Sequence, residues 1–344
     1  MVKNTALLIA ISALTAGTAN AAGRDYIQIV GSSTVYPYAT VVAERFGKSG
    51  SFKTPKIEST GTGGGAKLFC AGVGEGHPDI TNASRAMKSS EKEMCAANGI
   101  NDIVEVVIGY DGISFANAIE GANLNVGLSE LYLATAKHVP NPDGSETFVT
   151  NPYKNWNEIR SDLPAQAIEI MGPPPSSGTR DAWEELAMIG GCNTFEWVKA
   201  LKKSDKDAYE ENCMHVREDG AYVEAGENDN LIIQKLVANP NAFGIFGFSF
   251  LDQNLDAVKG ATVESVQPEF ETIADGSYPI SRPLFFYVKK DHVGVIPGLE
   301  EFLAEFTSEN AWGSDGYLAD RGLVPLPDDK RAQMAADVKA LKPM

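Results

Sequence analysis

The chain has 344 residues, 43% of them hydrophobic, ample for a packed core in roughly two domains, which excludes a disordered chain and a disulfide-only miniprotein. Lys and Arg total 29 against 46 Asp and Glu, a net charge of −17. That balance excludes a general nucleic-acid binder and disfavours attraction to an anionic membrane surface.

The first element in chain order reads as a targeting segment. Lys3 precedes the apolar run 6–14, and Ala19-Asn20-Ala21 is a small-x-small cleavage site. This is the pattern of a secretory signal peptide cleaved near Ala21, and the run is too short to span a bilayer. Cleavage removes one Lys and no acid, leaving −18. No Cys lies in the run or at the cleavage site, so no lipid anchor is indicated. No later apolar run approaches the ~18 residues of a membrane helix, and the exported chain is expected to be soluble.

Strand and helix then alternate. Residues 26–30 read as a strand, 31–34 as a turn, and 35–46 as a helix with Pro37 in its first turn. Residues 57–60 form the next strand, and 66–70 look helical after the glycine run 61–65. A third strand covers 79–82. Ser90 and Glu93 form a capping box for a helix over 91–97, which Gly99 stops. Residues 104–108 form a strongly apolar strand. A second set follows: a strand at 167–171, a stiff Pro-rich loop at 172–178 and a helix at 179–188. Further on come a helix at 232–238, a Gly-broken strand at 242–250, a buried strand at 283–288 and a terminal helix at 299–306. This order predicts α/β layering with largely parallel sheets. The loop 140–144 reads as a surface insertion.

The four cysteines, Cys70, Cys95, Cys192 and Cys213, include no CxxC, which disfavours a zinc ribbon or a thioredoxin motif. An even count in an exported chain suggests disulfides. Of the three possible pairings, loop closure favours Cys70–Cys95 and Cys192–Cys213.

Three loops share one design, in which a strand ends, small hydroxyl and Gly residues follow, and a helix begins. They are Gly31-Ser-Ser-Thr34, Gly61-Thr-Gly-Gly-Gly65 and Ser176-Ser-Gly-Thr-Arg180. Helix N-termini expose N–H donors, Gly permits close approach and Ser or Thr adds hydroxyl donors, so the pattern suits an oxyanion. Ser/Thr/Gly are also the ordinary caps of helices, and one such loop alone carries little. Neither a Walker A motif nor a GxGxxG with an acidic partner occurs, which disfavours nucleotide sites. No cofactor and no metal are expected. Arg85 and Arg180 stand at these loops, and a guanidinium fork suits phosphate oxygens, although either could equally serve in a surface salt bridge. A buried carboxylate can accept a proton-bearing oxygen from phosphate and reject fully ionised sulfate. Asp111, after the apolar strand, is the candidate for that acceptor; its alternative is an Asx turn before Gly112. Asp181 reads more simply as a helix N-terminal charge.

The residues Ile29 to Pro37, Ser59 to Gly65, Asn82 to Arg85 and Pro175 to Asp181 resemble the PstS family, the periplasmic phosphate-binding proteins of ABC transporters. The resemblance spans roughly residues 26–325. It implies a two-lobed periplasmic binding protein fold, type II-like. Each lobe would be a mixed, mostly parallel sheet flanked by helices, with a two-strand hinge and phosphate in the cleft. The first lobe would comprise 24–109 plus 281–344 and the second 110–280. By resemblance, Ser33, Thr34, Val35, Thr62, Ser84, Ser177, Gly178 and Thr179 would meet phosphate, joined here by Arg85, Arg180 and Asp111. Better-known members carry Asp where this chain has Arg85, and Arg where it has Pro173. The chain looks instead like the branch with Ala-Ser-Arg and Ser-Gly-Thr-Arg, in which the acceptor must come from elsewhere.

The resemblance implies a periplasmic phosphate receptor, not an enzyme, that closes on its ligand and docks on a membrane permease as a monomer. Alternatives are a receptor for another oxyanion such as sulfate or molybdate, a phosphate-sequestering adhesin, or a secreted hydrolase using Ser177 or Ser33. The hydrolase needs a base, and His77, His138, His215 and His292 are scattered, with no HExxH and no GxSxG.

Overall fold

The computed structural model describes residues 24–226 and 228–344. The expected signal peptide lies outside them. Three short strands, β1 (Gln28–Gly31), β2 (Lys56–Ser59) and β3 (Ile80–Ala83), pair in parallel in the order β2-β1-β3. Each is followed by a loop and a helix. Helix α1 (Tyr36–Lys48) buries Tyr38, Ala39, Val42, Ala43 and Phe46, the i, i+3, i+4 stripe that turns one face to the sheet. Helix α2 (Thr62–Phe69) begins four residues earlier than the sequence suggests, because the glycine run forms its first turn. Before α3 (Ser89–Ala97), the Glu91 carboxylate accepts from the Lys88 N–H at 2.8 Å, so the cap lies at Lys88 instead of Ser90.

The fourth strand, β4 (Ile103–Ala118), runs for 16 residues, far beyond the expected 104–108. A second half-sheet holds β5 (Ile170–Gly172), β6 (Tyr222–Glu224), β7 (Phe243–Gly247) and β8 (Val258–Gly260). The returning strand is β9 (Ser281–Lys289). Among the described residues these make one curled nine-stranded sheet, ordered β2-β1-β3-β9-β4-β7-β5-β6, with β8 on the other side of β4. Residues 103–112 of β4 pair antiparallel with β9, and residues 113–118 pair with β7 and β8. The strand therefore crosses from one half-sheet to the other. The segment expected as a Gly-broken strand is β7 followed by a short helix, Phe248–Asp252. The helix Leu299–Phe306 forms as expected but is not the last, since Asp328–Lys339 follows it.

The two largest of three apolar clusters among the described residues sit on the two halves, and the third packs around the Cys70–Cys95 disulfide. Of the two, one draws on residues 27–108 and 284–338, including Val42, Val106, Phe286 and Phe302. The other draws on 113–280 plus Val324, and there Phe115 stacks on Phe243 at 4.9 Å beside Trp156 and Trp183. Both expected disulfides are present. Cys70–Cys95 ties the end of α2 to α3, and Cys192–Cys213 clips the second core. Where the halves meet, Gly109 pairs with Leu284 but Val107 pairs with Phe285, a bulge that leaves Ile108 unopposed. Gly109 has φ +149°, and a Cβ there would lie 2.6 Å from the Val324 carbonyl oxygen, so only glycine fits.

Candidate functional site

All the polar loops singled out in the sequence leave the C-terminal ends of parallel strands, the edge where open α/β sheets place their ligands. The loops are tied to one another before any side chain is considered. The Ser32 N–H donates to the Asn82 carbonyl at 3.0 Å, and the Thr60 N–H donates to the Gly31 carbonyl at 2.9 Å. These bonds hold the loops after β1, β2 and β3 side by side. On the other lobe, β5 runs into the Pro-rich loop and then α4 (Gly178–Trp183), which continues through a π-helical turn, Glu184–Met188. Ser177 caps α4, its hydroxyl accepting from the Thr179 N–H at 3.2 Å.

Among the cavities between the lobes, two border the oxyanion loops. The smaller, of about 200 Å³, is lined by Ser32, Ser33, Thr34, Thr62, Gly63, Ser84, Arg85, Asp181, Glu185 and Arg282. The larger, of about 580 Å³, is walled by Ser33, Thr34, the segment Ser176 to Thr179, Asp111 and Asp229, with the rings of Tyr36, Tyr38 and Phe250. Ser33 and Thr34 line both, so the two spaces meet at the β1 loop. There the lobes touch, since a Cβ on Gly178 would stand 3.0 Å from the Thr34 Cα.

Arg282 organises the junction. Its side chain is 7% exposed, and it donates to Asp111 at 3.4 Å, to Thr34 Oγ1 at 3.0 Å and to Glu185 Oε2. Burial pushes the Asp111 carboxyl up, against the pull of the Arg282 guanidinium. Ser33 Oγ donates to Asp181 Oδ2 at 2.5 Å, and Thr62 Oγ1 and Ser84 Oγ share a hydrogen bond of 3.1 Å. Arg85 lines the small cavity while held in a two-point grip by Glu91, at 2.7 and 2.9 Å. That guanidinium holds the Glu91 carboxyl below its usual range. Asp229, at the start of the helix Asp229–Ala238, accepts from the Gly247 N–H at 3.2 Å, and burial pushes its pKa up to about 6.

The structure thus gathers Ser33, Thr34, Thr62, Ser84, Arg85, Asp111, Ser177, Gly178 and Thr179 around one cleft. Val35 lies just beneath it, fully buried, its N–H directed to Ser32 Oγ at 3.4 Å. Arg180 is elsewhere. Its guanidinium turns back to Glu184 at 2.6 Å and to the Pro173 carbonyl at 3.3 Å, stacks 4.9 Å from the Tyr222 ring, and borders a separate depression. An i, i+4 carboxylate on the same helix captures it. A second cation in the cleft besides Arg85 is Arg282, which the sequence reading did not single out, although an Arg flanking the apolar strand 283–288 demanded a buried partner. Asp111 sits within β4 and not in an Asx turn. None of the four histidines lines either cavity.

A family model described as a PBP superfamily domain matches residues 16–310. The chain belongs to the PBP superfamily. Its relatives within that superfamily include Protein SphX of Synechocystis sp., 29% identical over 330 residues, which cover 94% of this chain and 84% of that protein. Another is the phosphate-binding protein PstS of Staphylococcus haemolyticus, 29% identical over 314 residues, 90% of this chain and 84% of that one. The resemblance to PstS proteins read from the loops is borne out by such relatives. Among solved structures, that of a possible phosphate-binding protein from Planctomyces limnophilus superposes with a TM-score of 0.70 at 25% identity, covering 92% of this chain and 98% of that one. PstS from Borrelia burgdorferi shares the fold, at a TM-score of 0.57 and 20% identity. The two-lobed periplasmic binding protein architecture expected from the sequence is therefore that of this chain.

Proposed function

We propose that the chain is a substrate-binding protein that captures inorganic phosphate between its lobes and hands it to an ABC permease. The observation that carries this reading is the convergence of hydroxyls from three loops of one lobe with two guanidinium groups, facing the Ser177-Gly178-Thr179 cap of the other. Neutral donors and buried Arg can replace the water around a small oxyanion where water is excluded. The oxyanion would sit at Ser33 and Thr34, with Thr62, Ser84, Arg85 and Arg282 on one side and Ser177 to Thr179 on the other. Asp181, Glu185 and Asp111 offer acceptors to a ligand that still carries a proton. A fully ionised sulfate offers them none. Among the described residues no histidine lines either cavity, so nothing in the lining favours the hydrolase alternative.

The lobes would divide as 24–109 plus 281–344 and 110–280, a partition supported by the two apolar cores and by the bulge at Gly109. Contacts from both lobes are complete only in the closed form, so ligand shifts the population toward closure. The closed form would then dock on the permease as a monomer. Export to the periplasm is supported by the sequence pattern of residues 1–21, and no helix among the described residues is long and apolar enough to cross a membrane. Native mass spectrometry of protein purified without added ligand tests the reading. A retained species with the mass of phosphate is expected, and retention of sulfate or molybdate instead would contradict it.

A further inference from the structure

The larger cavity is more than orthophosphate needs. It adjoins the oxyanion loops through Ser33 and Thr34, yet most of its wall is Tyr36, Pro37, Tyr38, Asp111, Asn228, Asp229, Asn230 and Phe250. Three buried polar groups face it with hydrogen-bonding capacity left over. Asp229 is 8% exposed and takes one backbone N–H on Oδ2, while its other oxygen has no partner among the described residues. Asp111 is 6% exposed and meets Arg282 through Oδ2 alone. The Tyr38 hydroxyl, on a ring 7% exposed beside both carboxylates, makes no hydrogen bond among the described residues. Buried polar atoms with unused capacity around a roomy space mark a place for a polar ligand group. Two carboxylates and a phenol call for donors, and the flanking rings suit a short carbon chain.

We infer that the cleft also takes small organic phosphates: the phosphoryl group seats on the oxyanion loops and a short substituent ending in an ammonium group lies against Asp229, Asp111 and Tyr38. The inference rests on the phosphate reading of the same loops and extends it to a ligand class. An ammonium has three donors and no acceptor, which matches the wall. The ammonium also lowers the net negative charge of the ester, so a chain this acidic repels it less than a plain phosphate ester.

Calorimetric titration of the full exported chain with orthophosphate, methyl phosphate and phosphoethanolamine tests it. Methyl phosphate carries an ester carbon without the donor. Phosphoethanolamine is expected to bind at least about tenfold more tightly than methyl phosphate, the scale of a charge-assisted hydrogen bond. Asp229→Asn should erase this difference and, should that variant fail to fold, Tyr38→Phe should reduce it, each leaving orthophosphate binding as it was. Equal affinities for the two esters, or a preference that survives both substitutions, would overturn the inference while orthophosphate still binds. No binding of orthophosphate would overturn the underlying reading instead.

Discussion

Ser33 and Asp181 lie 148 positions apart, yet the Ser33 hydroxyl donates to the Asp181 carboxylate at 2.5 Å across the cleft. The bond joins the two sides of the cleft and shows the direction in which this donor points. Ser33→Ala removes one donor at a partly open position. Phosphate affinity is expected to fall about tenfold. Folding stability should change by less than about 1 kcal/mol, because a single part-buried bond contributes little. Titration and denaturant unfolding of the same variant check both halves.

Gly178 provides a test of closure that leaves every donor in place. A Cβ at this position meets the Thr34 backbone at 3.0 Å, and a hinge opening that parts the lobes would withdraw that neighbour. Overpacking of this kind costs about 1–3 kcal/mol, here charged to closure and not to folding. Gly178→Ala should therefore bind phosphate several-fold to about a hundredfold more weakly at unchanged melting temperature. Small-angle scattering should show ligand-induced compaction in the wild type and a smaller change in the variant.

Arg282 serves stability and binding together. Removing it strands Asp111, which is buried, with no counter-charge. Arg282→Ala is expected to cost about 3–5 kcal/mol of stability as well as affinity. Arg282→Lys keeps the charge but not the planar fork that reaches Asp111, Glu185 and Thr34 at once. It should fold, with affinity reduced. Chemical denaturation separates the two variants, and equal stability of both would contradict this account of the Arg282–Asp111 pair.

Asp229 should leave a signature in the pH dependence of stability. Burial raises its pKa from 3.8 to about 6, so the folded chain holds that proton more tightly than the unfolded chain does. Its contribution is fully present below the unfolded value and is lost as pH rises through about 6. Asp229→Asn, which resembles the neutral carboxyl, should match the wild type near pH ~4 and exceed its stability by about 2–3 kcal/mol near pH ~8. Thermal melts across that range read the difference, and parallel curves for the two proteins would contradict the assignment.

Much of the cleft was legible in the sequence because each loop follows from local chemistry. Small hydroxyl residues and glycines at a helix start suit an anion, so Ser33, Thr62 and Ser177 could be placed from their neighbours, although of the three only Ser177 caps its helix. The misplaced features depend on distant partners. The stretch Gly109 to Gly112 reads locally as a turn, but pairing with β9 on one side and β7 on the other draws it into a strand of 16 residues. Arg180 belongs to the right motif, yet Glu184, one helical turn away, takes its guanidinium. Arg282 acquires its role only when β9 returns beside β4 and sets it against Asp111, 171 positions earlier. Asp229 reaches the same cleft from a helix whose start carries no oxyanion-loop pattern.

The central claim is that donors from both lobes close on phosphate. Isothermal titration of the exported chain with orthophosphate, repeated with sulfate, tests it most directly. The account predicts saturable one-site binding of phosphate with much weaker binding of sulfate. Absence of heat and of any thermal shift with phosphate at millimolar concentration, or a preference for sulfate, would contradict it.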